Sequence, residues 1–406
     1  MTNVLDRLRD ADPATNTAGW SRSSDGEQVR STLGRERPRR HGWASALVAA
    51  VVVVALAVAV LVVTTRGDSP SRPASAIDRL VHGNWRVLPA SPLGELDSAQ
   101  VISTSEGILV WGHAAGGDRW TGAIYRPDTR RWRGIAAPPD LLAAPGVWTG
   151  RELVVWNLGY AYDPRTDAWR SLPLPPIPVT EQTHAVAVDD AIVAVNASGC
   201  TPQMSCVVGV PSASLGLDTE QWKTISSPPV TQPWDILGSG GGRAYYWARE
   251  NPTLGPDPVS YAYDPATDSW HVLDDLPASG HSGAAAFSRV GDSIVWVGWY
   301  ASGADLSGLP LAPHDVELRA ARARGNAWKS LSPRPHRARC NVETLSGPPG
   351  SAVVWCNPEE RVHLLDVSSN QWFDLPPAPA RVLPAGTWTE RGLYALAGDG
   401  RLMVLR

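Results

Sequence analysis

Two stretches of the chain are nearly the same: Tyr160-Ala-Tyr-Asp-Pro-Arg-Thr-Asp-Ala-Trp169 and Tyr261-Ala-Tyr-Asp-Pro-Ala-Thr-Asp-Ser-Trp270, each followed by a short apolar run that ends in proline. Repetition constrains the fold strongly, because one copy of a repeat cannot bury its own apolar face and must stack on the next. Shorter versions end at Trp132 (Tyr125-Arg-Pro-Asp-Thr-Arg-Arg-Trp), Trp222 (Leu217-Asp-Thr-Glu-Gln-Trp), Trp328 (Gly325-Asn-Ala-Trp) and Trp372 (Leu365-Asp-Val-Ser-Ser-Asn-Gln-Trp). With Trp85 included, the anchors stand at 85, 132, 169, 222, 270, 328 and 372, at intervals of 47, 37, 53, 48, 58 and 44.

Upstream of each later anchor lies a run rich in β-branched and aromatic residues, entered from a Gly or Asp turn. The runs are Gly107 to Trp111, Gly150 to Trp156, Asp189 to Val195, Gly242 to Trp247, Gly291 to Val297 and Gly350 to Trp355. These read as hairpins. The Asp-Pro-x-Thr pieces supply the next turn, since an Asp side chain accepts nearby backbone N–H groups and Pro presets φ at the second position. Four strands then complete each unit. No stretch from 84 to 406 sustains apolar residues at helical spacing, which argues against an α/β fold. A seventh pair runs from Gly386 to Ala397, and a third strand, Arg401 to Arg406, follows Gly398-Asp399-Gly400 without a fourth. Asn84-Trp-Arg-Val-Leu-Pro89 is a solitary strand of the missing kind, and pairing the two closes a ring without open edges. The expected fold is all-β: a seven-bladed β-propeller closed by its N-terminal strand.

The Tyr-Asp-Pro-x-Thr-x-x-Trp copies at 162–169 and 263–270, with Leu-Pro following, resemble the kelch and galactose-oxidase-type β-propeller superfamily, whose repeats recur at about 50 residues. The resemblance spans 84–406 and implies blades of four strands. It also implies that the repeated tryptophan (Trp85, Trp132, Trp169, Trp222, Trp270, Trp328, Trp372) packs between neighbouring blades. One departure is plain: the Gly-Gly doublet expected after the second strand is replaced by Asn157-Leu158, Asn196-Ala197 and Cys356-Asn357.

The N-terminal part has a different composition. Residues 1–42 are polar and read as a disordered cytoplasmic tail. Trp43 to Val63 is 21 residues of almost pure Ala, Val and Leu, long enough to cross a bilayer as one helix. Arg35, Arg37, Arg39 and Arg40 precede it, so the positive-inside rule places the N-terminus in the cytoplasm and the rest outside. Ala74-Ser75-Ala76 and Arg39-Arg40 leave a cleaved signal as the alternative, against which stand the length of the apolar run and of its leader. Residues 64–83 read as a linker. Lys223 and Lys329 are the only lysines, an arginine bias of GC-rich bacterial, actinobacterial, genomes. The net charge of -4, with no basic stripe beyond the apolar segment, argues against a nucleic-acid partner.

All four cysteines, Cys200, Cys206, Cys340 and Cys356, fall beyond the apolar segment, where an oxidising compartment permits disulfides. Cys340 and Cys356 flank two strands around the turn Ser346-Gly-Pro-Pro-Gly350 and could bridge across them, while Cys200 with Cys206 would staple a local loop. Four free, buried thiols are the alternative.

Propellers of this type gather the loops between one blade's fourth strand and the next blade's innermost strand around one mouth of the central channel. Those loops offer Asp97, Gln100, Asp140, Glu181 and His184. They also offer Trp234, Asp235, His281 and His336, and the cations Arg337, Arg339 and Arg381. The three histidines come from different repeats and would hold a metal only by converging on the axis; no metal or cofactor is expected. Likeness to galactose oxidase would imply copper held by tyrosines and histidines, a set not recognisable here, since Tyr125, Tyr162 and Tyr263 occupy repeat positions. No GxSxG, HExxH or P-loop pattern is present. Trp120, Trp148, Trp234, Trp299 and Trp388 fall outside the anchor positions and are candidate stacking platforms for a sugar.

The sequence therefore reads as a membrane-tethered, extracytoplasmic propeller that binds a glycan, peptide or protein partner. The alternatives are an extracytoplasmic enzyme of sugar oxidase or mutarotase type, and a signalling component whose tail, opening Val4-Leu5-Asp6-Arg7-Leu8, reports occupancy. The orientation is testable: protease added to intact spheroplasts should digest residues 84–406 and leave 1–42 protected, and a protected C-terminus would reverse the topology.

Overall fold

The computed structural model describes residues 75–117, 119–139, 144–180, 183–196, 211–229, 234–249, 259–274, 281–301, 316–336, 341–357 and 361–406. Of the chain's two units, the second, Pro73–Arg406, contains all described residues. The tail and the apolar segment 43–63 lie outside the described residues; among the described ones, no helix is long and apolar enough to cross a membrane.

Seven antiparallel sheets make up the second unit. Blade 1 is β2 to β5 (Leu96–Thr104, Gly107–Ala114, Trp120–Arg126, Arg131–Gly134), and blade 2 is β6 to β9 (Val147–Trp148, Leu153–Val155, Tyr160–Asp163, Ala168–Ser171). Blade 3 is β10 to β13 (Thr183–Val188, Ala191–Asn196, Ser212–Gly216, Gln221–Ile225), and blade 4 is β14 to β17 (Trp234–Gly240, Arg243–Arg249, Val259–Asp264, Ser269–Val272). Blade 5 is β18 to β22 (His281–Val290, Ser293–Ala301, Val316–Arg324, Ala327–Ser330, Arg334–His336), and blade 6 is β23 to β26 (Asn341–Ser346, Ser351–Asn357, Arg361–Asp366, Gln371–Asp374). Blade 7 combines β27 to β29 (Val382–Thr389, Gly392–Ala397, Leu402–Leu405) with β1 (Trp85–Val87) as its fourth strand.

That closing strand pairs in the register Trp85 with Leu405, Arg86 with Val404 and Val87 with Met403. The bonds continue past both ends, from Asn84 N–H to the Arg406 carbonyl (3.1 Å) and from Leu88 N–H to the Leu402 carbonyl (2.9 Å). The expected ring closure is therefore present. First strands of successive blades touch one another, including β2 with β27 across the closure, so they surround the axis. Thr344 Oγ1 donates to the Phe287 carbonyl (2.7 Å), Ser288 Oγ to that of Leu345 (3.1 Å) and Ser346 Oγ to that of Arg289 (2.9 Å). The partners advance together, so the first strands of blades 5 and 6 run parallel and begin at the same end of the ring.

The middle strands are apolar on both faces because each face meets a neighbouring blade; Leu153, Val154 and Val155, or Ala352, Val353 and Val354, are all fully buried. Such strands read as continuous apolar runs rather than alternating ones. Fourth strands such as β5, β9 and β26 are exposed at both ends and half-buried between. Glycine is required at Gly107 and Gly392, the first residues of β3 and β28: φ is 137° and 142°, and a Cβ would run into the carbonyls of Tyr125 and Leu405.

The anchor tryptophans lock each blade to the one before it. Trp132 Nε1 donates to the Pro89 carbonyl (2.8 Å), Trp169 to Ala136 (2.9 Å), Trp222 to Pro173 (2.8 Å) and Trp270 to Ser226 (2.9 Å). Trp372 does the same to Ser332 (2.8 Å), and Trp85 to Pro376 (2.8 Å). Every acceptor lies just after the fourth strand of the preceding blade. Trp328 differs: its Nε1 reaches Ser260 Oγ (2.8 Å) on β16, while Asp274 bonds backbone to backbone with Asn326 and Trp328.

The residue two before the anchor adds a second contact. Asp167, Asp268 and Asn370 have φ of 55°, 48° and 57°, the left-handed region that Asp and Asn tolerate best. Their side chains accept the N–H of Ala136 (3.0 Å), Ser226 (2.9 Å) and Ser332 (2.7 Å). Each of these three residues is thus held at its N–H by a turn side chain and at its C=O by an indole. Tyr162 and Tyr263 donate their hydroxyls to the same two aspartates (2.6 and 2.8 Å), which is why the repeat carries Tyr, Asp and Trp at fixed spacing.

A second set of tryptophans completes the inter-blade core. Trp111, on the second strand of blade 1, and Trp156, just beyond that of blade 2, lie 5.6 and 6.3 Å from Trp169 and Trp222 of the next blade. Trp355, on the second strand of blade 6, lies 6.3 Å from Trp85. The segment read as linker contains a helix, α1 (Ala76–Val81), capped reciprocally by Ser75 and Asp78, whose Leu80 is buried in the core of blades 6 and 7. Ile77 and Val81 pack beside it, and three such apolar residues within six make too short a pattern to stand out. Cys356 is buried and disulfide-bonded, while Cys200, Cys206 and Cys340 lie outside the described residues. In the β23–β24 ladder Val342 stands opposite Cys356.

Trp85 should behave as a latch equal to the internal ones. Trp85→Phe and Trp270→Phe each leave a carbonyl without its donor, which costs about 1 to 3 kcal/mol, so both should lower the urea midpoint by similar amounts. A Trp85→Phe protein with unchanged stability would mean that the N-terminal strand does not hold the ring shut.

Candidate functional site

Because every blade starts its first strand at the same end of the ring, the crossovers and strand starts collect there as a rim. Trp234 and His281 are the opening residues of β14 and β18, His184 is the second of β10, and Arg381 immediately precedes β27. The backbone thus brings four of the expected residues to one rim. Asp140, Glu181, Arg337 and Arg339 lie outside the described residues, and the side chains of Trp234, Asp235, His281 and His336 likewise. Arg381 is exposed, and its carbonyl accepts the Gly398 N–H (2.8 Å). His184 is half-buried and stands opposite Val195.

Two expectations change. Gln100 is a structural clamp: its Nε2 donates to the Gly146 carbonyl (2.9 Å) and its Oε1 accepts the Gly146 N–H (2.8 Å), joining blades 1 and 2. His336 belongs to the outer part of blade 5. Its strand β22 pairs with β20, His336 opposite Val316, because β20 has nine residues and β21, a fourth strand of ordinary length, covers only Ala321 to Arg324 of it. Unpaired backbone groups need partners, and β22 supplies them. His281 and His336 therefore share one blade, with two strands between them in the sheet order.

One inner-strand carboxylate was not singled out from sequence. Glu343 is the third residue of β23 and pairs in register with Trp355. Alternation places it on the side of Leu345, toward blade 7, since Leu345 packs in the core of blades 6 and 7. Burial raises its pKa above the usual carboxylate value. Its only sequence signal is a charge inside a strand, between Val342 and Thr344.

The tyrosines at repeat positions are committed elsewhere. Burial, with Asp167 or Asp268 alongside, pushes the hydroxyls of Tyr162 and Tyr263 far above their ordinary value, so they stay neutral donors. Tyr125 is buried against Trp132. Among the described residues no three His, Cys, Asp or Glu side chains gather as a metal set. Trp120 and Trp299 are buried, and Trp148 and Trp388 pack against the cores of blades 1 and 2 and of blades 6 and 7. They serve as packing, not as open stacking platforms.

No protein-family model matches the sequence, and no curated protein matches it. Two solved structures are similar to it at low sequence identity. A fungal alcohol oxidase described as having catalytic diversity among the AA5 family, in complex with copper, aligns at TM-score 0.52 and 11% identity, over 80% of this chain and 76% of that one. The structure of YjhT aligns at TM-score 0.41 and 14% identity, over 79% and 96%. The first likeness shows a shared fold: this chain is an all-β, seven-bladed propeller with a structural neighbour among the galactose-oxidase-like enzymes.

Glu343 gives a pH test. Its pKa is raised on folding, so the folded state holds the proton more tightly than the unfolded chain; ionisation costs stability above the folded pKa, and the cost vanishes below the unfolded one. Glu343→Gln should raise the melting temperature at about pH 8 and leave it unchanged near pH 3, below the ordinary carboxylate range. A gain that persists at low pH would trace to packing instead.

Proposed function

We propose that this chain is a membrane-tethered, extracytoplasmic propeller that binds a glycan, peptide or protein partner at the rim where the first strands begin. One observation carries the reading: the repeated Tyr, Asp and Trp side chains are consumed in latches between blades, while the non-repeated His184, Trp234, His281 and Arg381 collect at one end. A rim built from crossovers of unequal length can vary without disturbing the latches, which suits recognition. The orientation follows from the arginines ahead of the apolar segment.

The second reading is an oxidase, favoured by the fold shared with the copper-containing alcohol oxidase. It needs a redox centre other than Tyr162 and Tyr263, whose hydroxyls already donate to Asp167 and Asp268.

Binding by the full chain to arrayed glycans and peptides should be lost, by about tenfold or more, in the double variant His184→Ala/Arg381→Ala. Unchanged binding would remove the rim assignment. Hydrogen peroxide released from sugars or primary alcohols, in a copper-dependent way, would replace the binding module by the oxidase.

A further inference from the structure

At the end of the ring opposite the rim, blades 7 and 1 flank an open cleft of about 570 Å³, within the size range of small-molecule sites. Its walls are two copies of one turn. Thr104-Ser-Glu-Gly107 joins β2 to β3, and Thr389-Glu-Arg-Gly392 joins β27 to β28. In each, the threonine hydroxyl donates to the glycine carbonyl (2.9 and 3.4 Å) and accepts the N–H of the third residue (3.2 and 3.1 Å). The β4–β5 turn, Arg126 to Thr129, completes the lining.

The third residue differs in charge between the copies, and each pairs with the β4–β5 turn. Glu106 holds Arg126 at 3.0 Å, and Arg391 crosses the seam to Asp128. Both guanidinium groups are thereby neutralised. Among the described residues Glu390 enters no ion pair, and the hydroxyls of Ser103, Ser105 and Thr129 make no hydrogen bond, although all four line the cleft.

We propose that this seam is a binding site for a hydroxyl-rich small molecule carrying an ammonium group, the chemistry of an amino sugar. An apolar ligand finds only Ile108 and Pro127 as apolar side chains. An anion meets surplus negative charge. A bare ammonium ion would satisfy Glu390 and leave the hydroxyl walls unmatched, whereas a glycosamine places an ammonium on the carboxylate and its hydroxyls on the serines, threonine and paired guanidiniums. The site is separate from the rim and does not rest on the function proposed for it. A ligand held by both blades favours the closed ring and raises its melting temperature by mass action.

The test is calorimetric titration of the full chain with the β-1,4-linked glucosamine disaccharide and with cellobiose, its neutral counterpart. The glucosamine disaccharide should bind about tenfold more tightly, the worth of one charge-assisted hydrogen bond. Glu390→Gln, an exposed turn substitution, should abolish that preference, and Ser105→Trp, which fills the cleft, should abolish both affinities. No binding of either disaccharide, a preference that survives Glu390→Gln, or one lost instead in His184→Ala/Arg381→Ala would overturn the proposal; the last outcome would move the ligand to the rim.

Discussion

An indole N–H that reaches back to a carbonyl of the preceding blade is the contact on which this ring depends. Inter-strand ladders hold each blade together but say nothing to its neighbours, and apolar packing between two sheets is non-directional. The latch supplies the direction: Trp132, Trp169, Trp222, Trp270, Trp372 and Trp85 each fix where the next sheet sits against the crossover behind it. The bonds of Trp85, Trp169 and Trp270 are partly buried, where a carbonyl without its donor would cost more than the bond itself contributes, so these latches also penalise slippage. The closing blade uses the same device with a strand from the opposite end of the domain, which makes the last junction like the others.

The latch also accounts for where chemistry is absent and where it remains. Aspartates at Asp167 and Asp268 are held below their ordinary pKa: Asp268 chiefly by the Ser226 N–H, and Asp167 against the opposing pull of its burial by Tyr162, Ala136 and Arg133. They are fixed acceptors, as the tyrosines are fixed donors. Residues the repeat does not specify lie at the rim on one end and at the blade 7 to blade 1 seam on the other.

Blade 5 shows how the scheme bends. Its last turn has two residues, Gly325 and Asn326; the left-handed conformation falls on Gly325, and Asn326, two before the anchor, meets the neighbour through its backbone carbonyl, which accepts the Asp274 N–H (3.2 Å). Trp328 accordingly bonds to Ser260 Oγ, and Asp274 replaces the side-chain clamp with backbone bonds. The third strand, β20, has nine residues against seven in β4, so a fourth strand of ordinary length leaves it partly bare, and β22 fills the gap. The short turn and the long third strand together account for the departures from the repeat.

The amino-acid sequence by itself determined the number of blades, the anchor tryptophans and the closing strand. All three are written as periodic residue types whose spacing is set by strand length and turn geometry, and such local rules survive without knowing which elements meet. Only the tertiary structure decided what the anchors bond to, that Gln100 is a clamp, that His336 lies on an outer strand, and that α1 docks onto blades 6 and 7. The cleft between two Thr-x-x-Gly turns belongs to the same class. Residues 104 and 389 stand at opposite ends of the domain's sequence, and closure alone makes them neighbours, so no local pattern could announce the pair.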